Sequence, residues 1–185
     1  LDVTIDQRAC QPLALCSPTG AHGWTYTQKS TAMPMVGMLD WGGYQLDLSQ
    51  PEWSAATDDS CGVLRYVTAW HWLSLSAHLP DGQRLGLNLA AGVNDGFGTE
   101  NTLWIEGQPL ELPPVLFQRL DAERWQIYSA DGAIRLHVHT YGCHQDSTNA
   151  VLVASRFKQW VSLISGEIRL PQGQVIRWQG KLGLL

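Results

Sequence analysis

The sequence predicts an all-β fold, a meander of antiparallel strands that closes into a barrel or curves into stacked sheets. Three observations carry this. Apolar and polar residues alternate with a period of two through most of the chain, the spacing of a strand with two unlike faces. Turn signals separate these runs at Trp41-Gly42-Gly43, Pro80-Asp81-Gly82, Ala130-Asp131-Gly132 and Pro171-Gln172-Gly173; Asp-Gly and Gly-Gly supply the positive φ that tight hairpins require. No apolar stripe at helical spacing runs for a useful length, and no short period repeats. So many sequential strands avoid exposed edges by closing a barrel or by stacking two sheets.

In chain order the candidate strands begin with 1–6, 11–16, 22–28, 33–41 and 43–48. Residues 51–57 are the one place where a helical turn is expected, with Ser49 as its cap and Pro51 early in the turn. Strand 64–76 follows. Tyr66, Thr68, Trp70, Trp72 and Ser74 share one face, and Arg65, Val67, Ala69, His71, Leu73 and Leu75 the other, because residues two apart in a strand point the same way. Both faces mix polar and apolar groups, unlike a half-solvated sheet. A strand with core on one side and a partly polar cavity on the other has this pattern, so Trp70 and Trp72 are expected to line a cavity or its core plug. The remaining candidates are 83–92, 101–106, 115–119, 124–129, 133–140, 149–157, 160–170 and 174–183.

Composition narrows the function. With 185 residues, 44% of them hydrophobic, the chain can bury a core. Its mean hydropathy is −0.13, and no run is long enough for a transmembrane helix. The net charge of −5 and the scattered Lys and Arg argue against a nucleic-acid partner, which needs a clustered basic surface. Nine tryptophans against three phenylalanines suit wide cores and cavity walls alike. The four cysteines lack C-x-x-C spacing, so reduced thiols are expected, which favours the cytoplasm; a Cys10–Cys16 bridge would need export. The chain opens without Met in LDVTID and stops in QVIRWQGKLGLL. Both ends read as strands, so this is expected to be a piece of a longer protein whose remainder is a partner, and any signal peptide would lie upstream.

The stretch NDGFGTENTLWIEG at 94–107 concentrates polar residues. Asn94 and Asp95 are adjacent rather than alternating and Gly96 follows at once, so a calcium loop fails. Gly96-Phe97-Gly98 begins a dinucleotide fingerprint but lacks the third glycine, and a strand rather than a helix follows. No cofactor is implied.

Several stretches resemble the uncharacterised bacterial family catalogued as domain of unknown function 2804. They are Asp58-Asp59-Ser60-Cys61-Gly62 leading to Tyr66-Val67-Thr68-Ala69-Trp70-His71-Trp72; Gly86-Leu87-Asn88-Leu89 followed by Thr99-Glu100-Asn101 and Leu103-Trp104-Ile105-Glu106-Gly107; and Ser155-x-Phe157-x-Gln159 ending in Ser165-Gly166. Thr27-Gln28-Lys29, Pro34 and Gly42-Gly43 also fit. Cys61 replaces a basic residue of the family, Asp59 an aromatic, Lys158 a His and Ser162 a Gly. The resemblance implies a lipocalin-like (calycin-type) antiparallel barrel, part of a larger double-barrel protein similar to the carotenoid hydratases, which handle apolar small molecules. On that template residues 1–60 complete or bridge an upstream barrel and 61–185 form the C-terminal one. It implies no reaction, since function lives in the site and not the fold.

Candidate chemistry is sparse. Thr99-Glu100-Asn101 is expected at the entry to a barrel strand, facing a cavity mouth; alternatively, Glu100 and Asn101 cap loop backbone groups. His137 and His139 share a strand face near Cys143 and His144, a spacing that permits a metal but supplies no third ligand. His71, between two tryptophans, is either an acid–base group or a hydrogen-bonded core histidine. Asp40, Asp58, Asp95 and Glu100 are the carboxylates from which a catalytic pair would come, and no Gly-x-Ser-x-Gly elbow exists. The expectation is a barrel that binds an apolar small molecule, lipid or isoprenoid-like, through Trp70, His71, Trp72, Asn88, Asn101, Trp104 and Gln159. A hydratase-like enzyme using Glu100 and Asp58, and a structural or interaction domain, are the alternatives.

Overall fold

The computed structural model describes residues 1–20, 23–94, 98–150 and 153–185. Among these the chain forms fifteen strands and one 3-10 turn, Gln7–Ala9, with antiparallel pairing throughout the assigned registers. The all-β expectation holds at that level. No sheet closes into a barrel among the described residues. The chain divides into two compact units, Leu1–Pro114 and Val115–Leu185.

In the first unit, β1 (Asp2–Ile5), β4 (Met35–Trp41) and β5 (Tyr44–Asp47) pair in the order β1-β4-β5. Next, β2 (Leu13–Pro18), β3 (Trp24–Met33) and β6 (Ala55–Gly62) pair as β2-β3-β6. Four more strands, β7 (His71–His78), β8 (Arg84–Ala91), β9 (Thr102–Ile105) and β10 (Gln108–Glu111), run β10-β9-β8-β7. All four predicted glycine turns close hairpins. At the first, Trp41 pairs with Tyr44 across Gly42 (φ +59) and Gly43 (φ +84), the doubly left-handed geometry that a two-residue hairpin loop demands.

β3 crosses close to β7 and β8. Gly86 permits this, since a Cβ there would sit 2.4 Å from Thr31 Cγ2. The Thr31 and Ser76 hydroxyls lie 2.7 Å apart, and Ser76 Oγ accepts from the Ala32 N–H at 3.1 Å. The pairing of β3 with β6 slips between Ser30 and Met33, where Ala32 takes φ +54; such a bulge bends the strand. Met33 and Ala55 then pack with Cys10 and Trp104 in a buried cluster flanked by Ile5, Leu13 and Met35.

The second unit is a meander: β11 (Val115–Arg119), β12 (Arg124–Ser129), β13 (Ile134–Ala150), β14 (Val153–Arg169) and β15 (Val175–Leu184) lie in sequence order. Register places Trp125 opposite Val138, Ile127 opposite Leu136, Val138 opposite Ile164 and Ile168 opposite Ile176. These side chains are buried on one face, as period-two patterning requires.

Three expectations change. Residues 51–57 do not form a helical turn: Ala55 already opens β6. The Ser49 hydroxyl, instead of capping, accepts from Gly37 N at 3.2 Å, while Asp47 accepts from the Ser49 N–H and Gln50 Nε2. Second, strand 64–76 begins only at His71. Residues 64–70 alternate but have no assigned strand partner; Tyr66 is 100% exposed, and Thr68 Oγ1 donates to Arg65 O at 3.0 Å in a local turn, the side-chain competition that dissolves strands. Trp70 therefore precedes the strand that holds Trp72. Third, candidates 133–140, 149–157 and 160–170 are two long strands, β13 and β14, with a register slip between Thr140 and Cys143. The hairpin partner β10 carried no clear signal; its turn relies on Glu106 at φ +49. His22 of candidate strand 22–28, residues 151–152 of 149–157, and Asp95, Gly96 and Phe97 of the quoted loop lie outside the described residues.

Candidate functional site

The β3–β6 pair presents Thr25, Thr27 and Lys29 on one buried face of β3. Register sets Lys29 opposite Asp58 and Thr27 opposite Ser60. Side chains directly opposite in an antiparallel pair are close enough to interact: Lys29 Nζ lies 2.9 Å from Asp58 Oδ2, and the Thr27 and Ser60 hydroxyls are hydrogen-bonded. From the other sheet Trp72 stands opposite Ala90. The chain leaving β8 adds Val93, Asn94 and Glu100, and the segment before β7 adds Leu64, Thr68 and Trp70. Together these bound a cleft of about 190 Å³ within the first unit.

A charged trio lines the cleft. Glu100 Oε2 is 2.8 Å from Lys29 Nζ, with the Glu100 side chain 3% exposed and that of Lys29 10%. Asp58, the second carboxylate on the same ammonium, is 44% exposed. Asn94 Nδ2 donates to Glu100 Oε1. Two anions around one cation offset its burial, because a buried charge needs both pairing and hydrogen bonds. Lys29 Nζ also stands 5.7 Å from the centre of a Trp72 ring, within cation–π range.

Asn88 and Asn101 brace the site. Trp72 Nε1 donates to Asn88 Oδ1 at 2.8 Å, and Asn88 Nδ2 donates to the Glu100 carbonyl at 2.8 Å. The indole and the Glu100 backbone are thus held by one amide. Asn101 Oδ1 accepts from Ala90 N at 2.7 Å, its Nδ2 donates to Pro113 O at 3.0 Å, and its own N–H is received by Thr99 Oγ1 at 2.9 Å. Within Thr99-Glu100-Asn101 the roles divide: Thr99 and Asn101 tie down backbone, while Glu100 turns into the cleft.

Of the residues singled out from sequence, Glu100, Asp58, Trp70 and Trp72 line this cleft, and Asn88 and Asn101 support it. His71 is exposed at the start of β7, outside the lining. Trp104 is fully buried in the core cluster, its Nε1 donating to Gln11 O at 2.8 Å. Gln159 belongs to the second unit, on β14 opposite His144. Asp40 lies on β4 opposite Gln45. His137 and His139 border a groove on the second unit's open face, where His139 Nε2 is 3.7 Å from Glu123 Oε2 and its ring 4.7 Å from that of Tyr141. No cluster of three or more metal-ligating residues occurs among the described residues. All four cysteines are free thiols. Lys29 and Asn94 are the residues that sequence reasoning missed. Lys29 shares its strand parity with Thr25 and Thr27, which was the available signal.

The family model described as Domain of unknown function (DUF2804) matches residues 1–185. The chain belongs to the DUF2804 family. No curated protein and no solved structure matches it. Several of the stretches read above as resembling DUF2804 fall on this cleft or its supports: Asp58 and Ser60 on β6, Trp70 and Trp72, Asn88, and Thr99-Glu100-Asn101. Trp104 and Gly107, in another of those stretches, instead serve packing. A Cβ on Gly107 would come 2.0 Å from the Ala9 carbonyl oxygen.

Proposed function

We propose that this DUF2804 chain is a small-molecule-binding protein, and that the cleft of its first unit holds one end of a largely apolar ligand of lipid or isoprenoid type. The observation that carries the reading is the convergence of Trp70, Trp72 and Leu64 on a cleft that also holds the buried Lys29–Glu100 ion pair. A few placed polar groups under an apolar wall is the general composition of ligand pockets. At about 190 Å³ the cleft is smaller than the roughly 300–1,000 Å³ of sites that enclose drug-sized ligands. It suits a head or ring, with the rest of the molecule outside. A lipocalin-like barrel is the architecture this reading assigns to the family.

An enzymatic reading draws on the approach of Asp58 and Glu100 to one ammonium. Hydration of an alkene by acid catalysis requires a neutral carboxyl group, whereas both acids here are ion-paired with Lys29. Binding therefore ranks first. The test is to incubate the purified chain with a total bacterial lipid extract, re-isolate it, and identify retained compounds by mass spectrometry. The reading predicts a reproducible compound class that Trp72→Ala loses; an extract carrying nothing above a control protein contradicts it.

A further inference from the structure

We infer that the group recognised in this cleft is a protonated amine, an inference that rests on the small-molecule reading above and names the chemistry of the ligand's head. The charge of the lining points to this first. Among the described residues, Lys29, Asp58 and Glu100 are the charged groups in the lining, one cation against two anions. Lys29 and Glu100 are buried against each other, while Asp58 remains 44% exposed at the mouth. The surplus negative charge is therefore carried where an incoming ligand meets it.

The hydrogen-bond polarity of the lining points the same way. Thr25 Oγ1 donates to Val63 O at 3.2 Å, and Thr68 Oγ1 donates to Arg65 O at 3.0 Å. A hydroxyl whose only proton is committed offers just lone pairs. The Trp72 N–H is likewise committed, to Asn88. The Lys29 ammonium is engaged by both carboxylates. Lys29 keeps a third N–H and Asn94 a second, but the remaining lone pairs of Asp58, Thr25 and Thr68 outnumber them, so the cleft is richer in acceptors than in free donors, and an ammonium group is a donor without an acceptor of its own.

The aromatic wall suits a cation as well. Trp70 is 51% exposed and contributes an indole to the lining. Trp is the aromatic side chain that attracts cations best, and a small indole-lined recess beside a carboxylate is how organic ammonium ions are recognised. A carboxylate head would meet the surplus negative charge, and an alcohol would forgo the electrostatic part.

The experiment compares three probes of equal chain length on the whole chain at neutral pH: hexylammonium, hexanol and hexanoate, by calorimetry and tryptophan fluorescence. Hexylammonium is expected to bind about tenfold or more tighter than hexanol, with hexanoate weakest. Asp58→Asn should bring hexylammonium down to the level of hexanol. Trp70→Leu, a change at an exposed side chain that keeps apolar contact, should weaken hexylammonium by a larger factor than hexanol. Equal or tighter binding of hexanol or hexanoate overturns the amine assignment while the small-molecule reading stands. Failure of all three probes to bind at millimolar concentration, with retained lipid also absent, overturns both. Failure of all three with a retained lipid present overturns the amine assignment alone.

Discussion

Replacing Lys29 by Met tests the buried charge network. The Lys29 side chain is 10% exposed and its partner Glu100 3%. The substitution keeps the length of the side chain but leaves Glu100 with the Asn94 amide and no cation. Removing one partner of a buried ion pair typically costs about 3–5 kcal/mol, a large part of the roughly 5–15 kcal/mol that stabilises a domain. With a urea m-value near 2 kcal/mol/M, the midpoint should fall by about 2 M. Asp58→Asn should cost at most about 1 kcal/mol, because half-exposed pairs contribute little. Lys29→Met/Glu100→Gln should recover about 1–3 kcal/mol relative to Lys29→Met, since coupled residues are not additive. Equilibrium urea unfolding of the four proteins measures all of this. A Lys29→Met protein within about 1 kcal/mol of wild type, or Asp58→Asn as damaging as Lys29→Met, refutes the description of the network.

Gly86→Ala should destabilise by about 1–3 kcal/mol through overpacking against Thr31, and Thr31→Ser, which removes the obstructing methyl, should restore part of it in a thermal melt. Trp72→Phe leaves the Asn88 amide oxygen without its indole donor and should cost about 1–3 kcal/mol in urea, with weaker ligand binding besides. Asp121 titrates far below the usual range, at about 2, chiefly because the Glu123 backbone N–H donates to it, with the Arg124 side chain and backbone adding. Its contribution to the turn between β11 and β12 is therefore full above the ordinary value of 3.8 and fades as pH falls toward 2. A carboxyl-carbon NMR titration should give a midpoint near 2, and one near 3.8 contradicts the capped turn.

What the sequence revealed, and what it hid, follows from the range of the interactions. The hairpins at Gly42-Gly43, Asp81-Gly82, Asp131-Gly132 and Gln172-Gly173 were legible because turn chemistry is local. Residues 64–70 misled because alternation records two unlike faces, not a neighbouring strand; without a partner the segment turns on Thr68 instead. Lys29 was legible only as sharing a strand face with Thr25 and Thr27, not by its partners. Its partners come from register with β6 and from the loop before β9, and register is a tertiary property. Glu100 and Asn101 were picked out together, but only the fold separates an acid aimed into a cleft from an amide that clamps Ala90 and Pro113.

The proposed function requires that ligand bind against Trp70 and Trp72 in the first unit. The chain holds nine tryptophans, so a ¹H–¹⁵N spectrum of the indole N–H groups, assigned by single substitutions, reads the site directly. Titration with a compound retained from the lipid extract should shift Trp70 and Trp72 and leave Trp104, Trp125 and Trp178 in place. Shifts confined to Trp125 and Trp160 of the second unit, with Trp70 and Trp72 unmoved, would contradict the account.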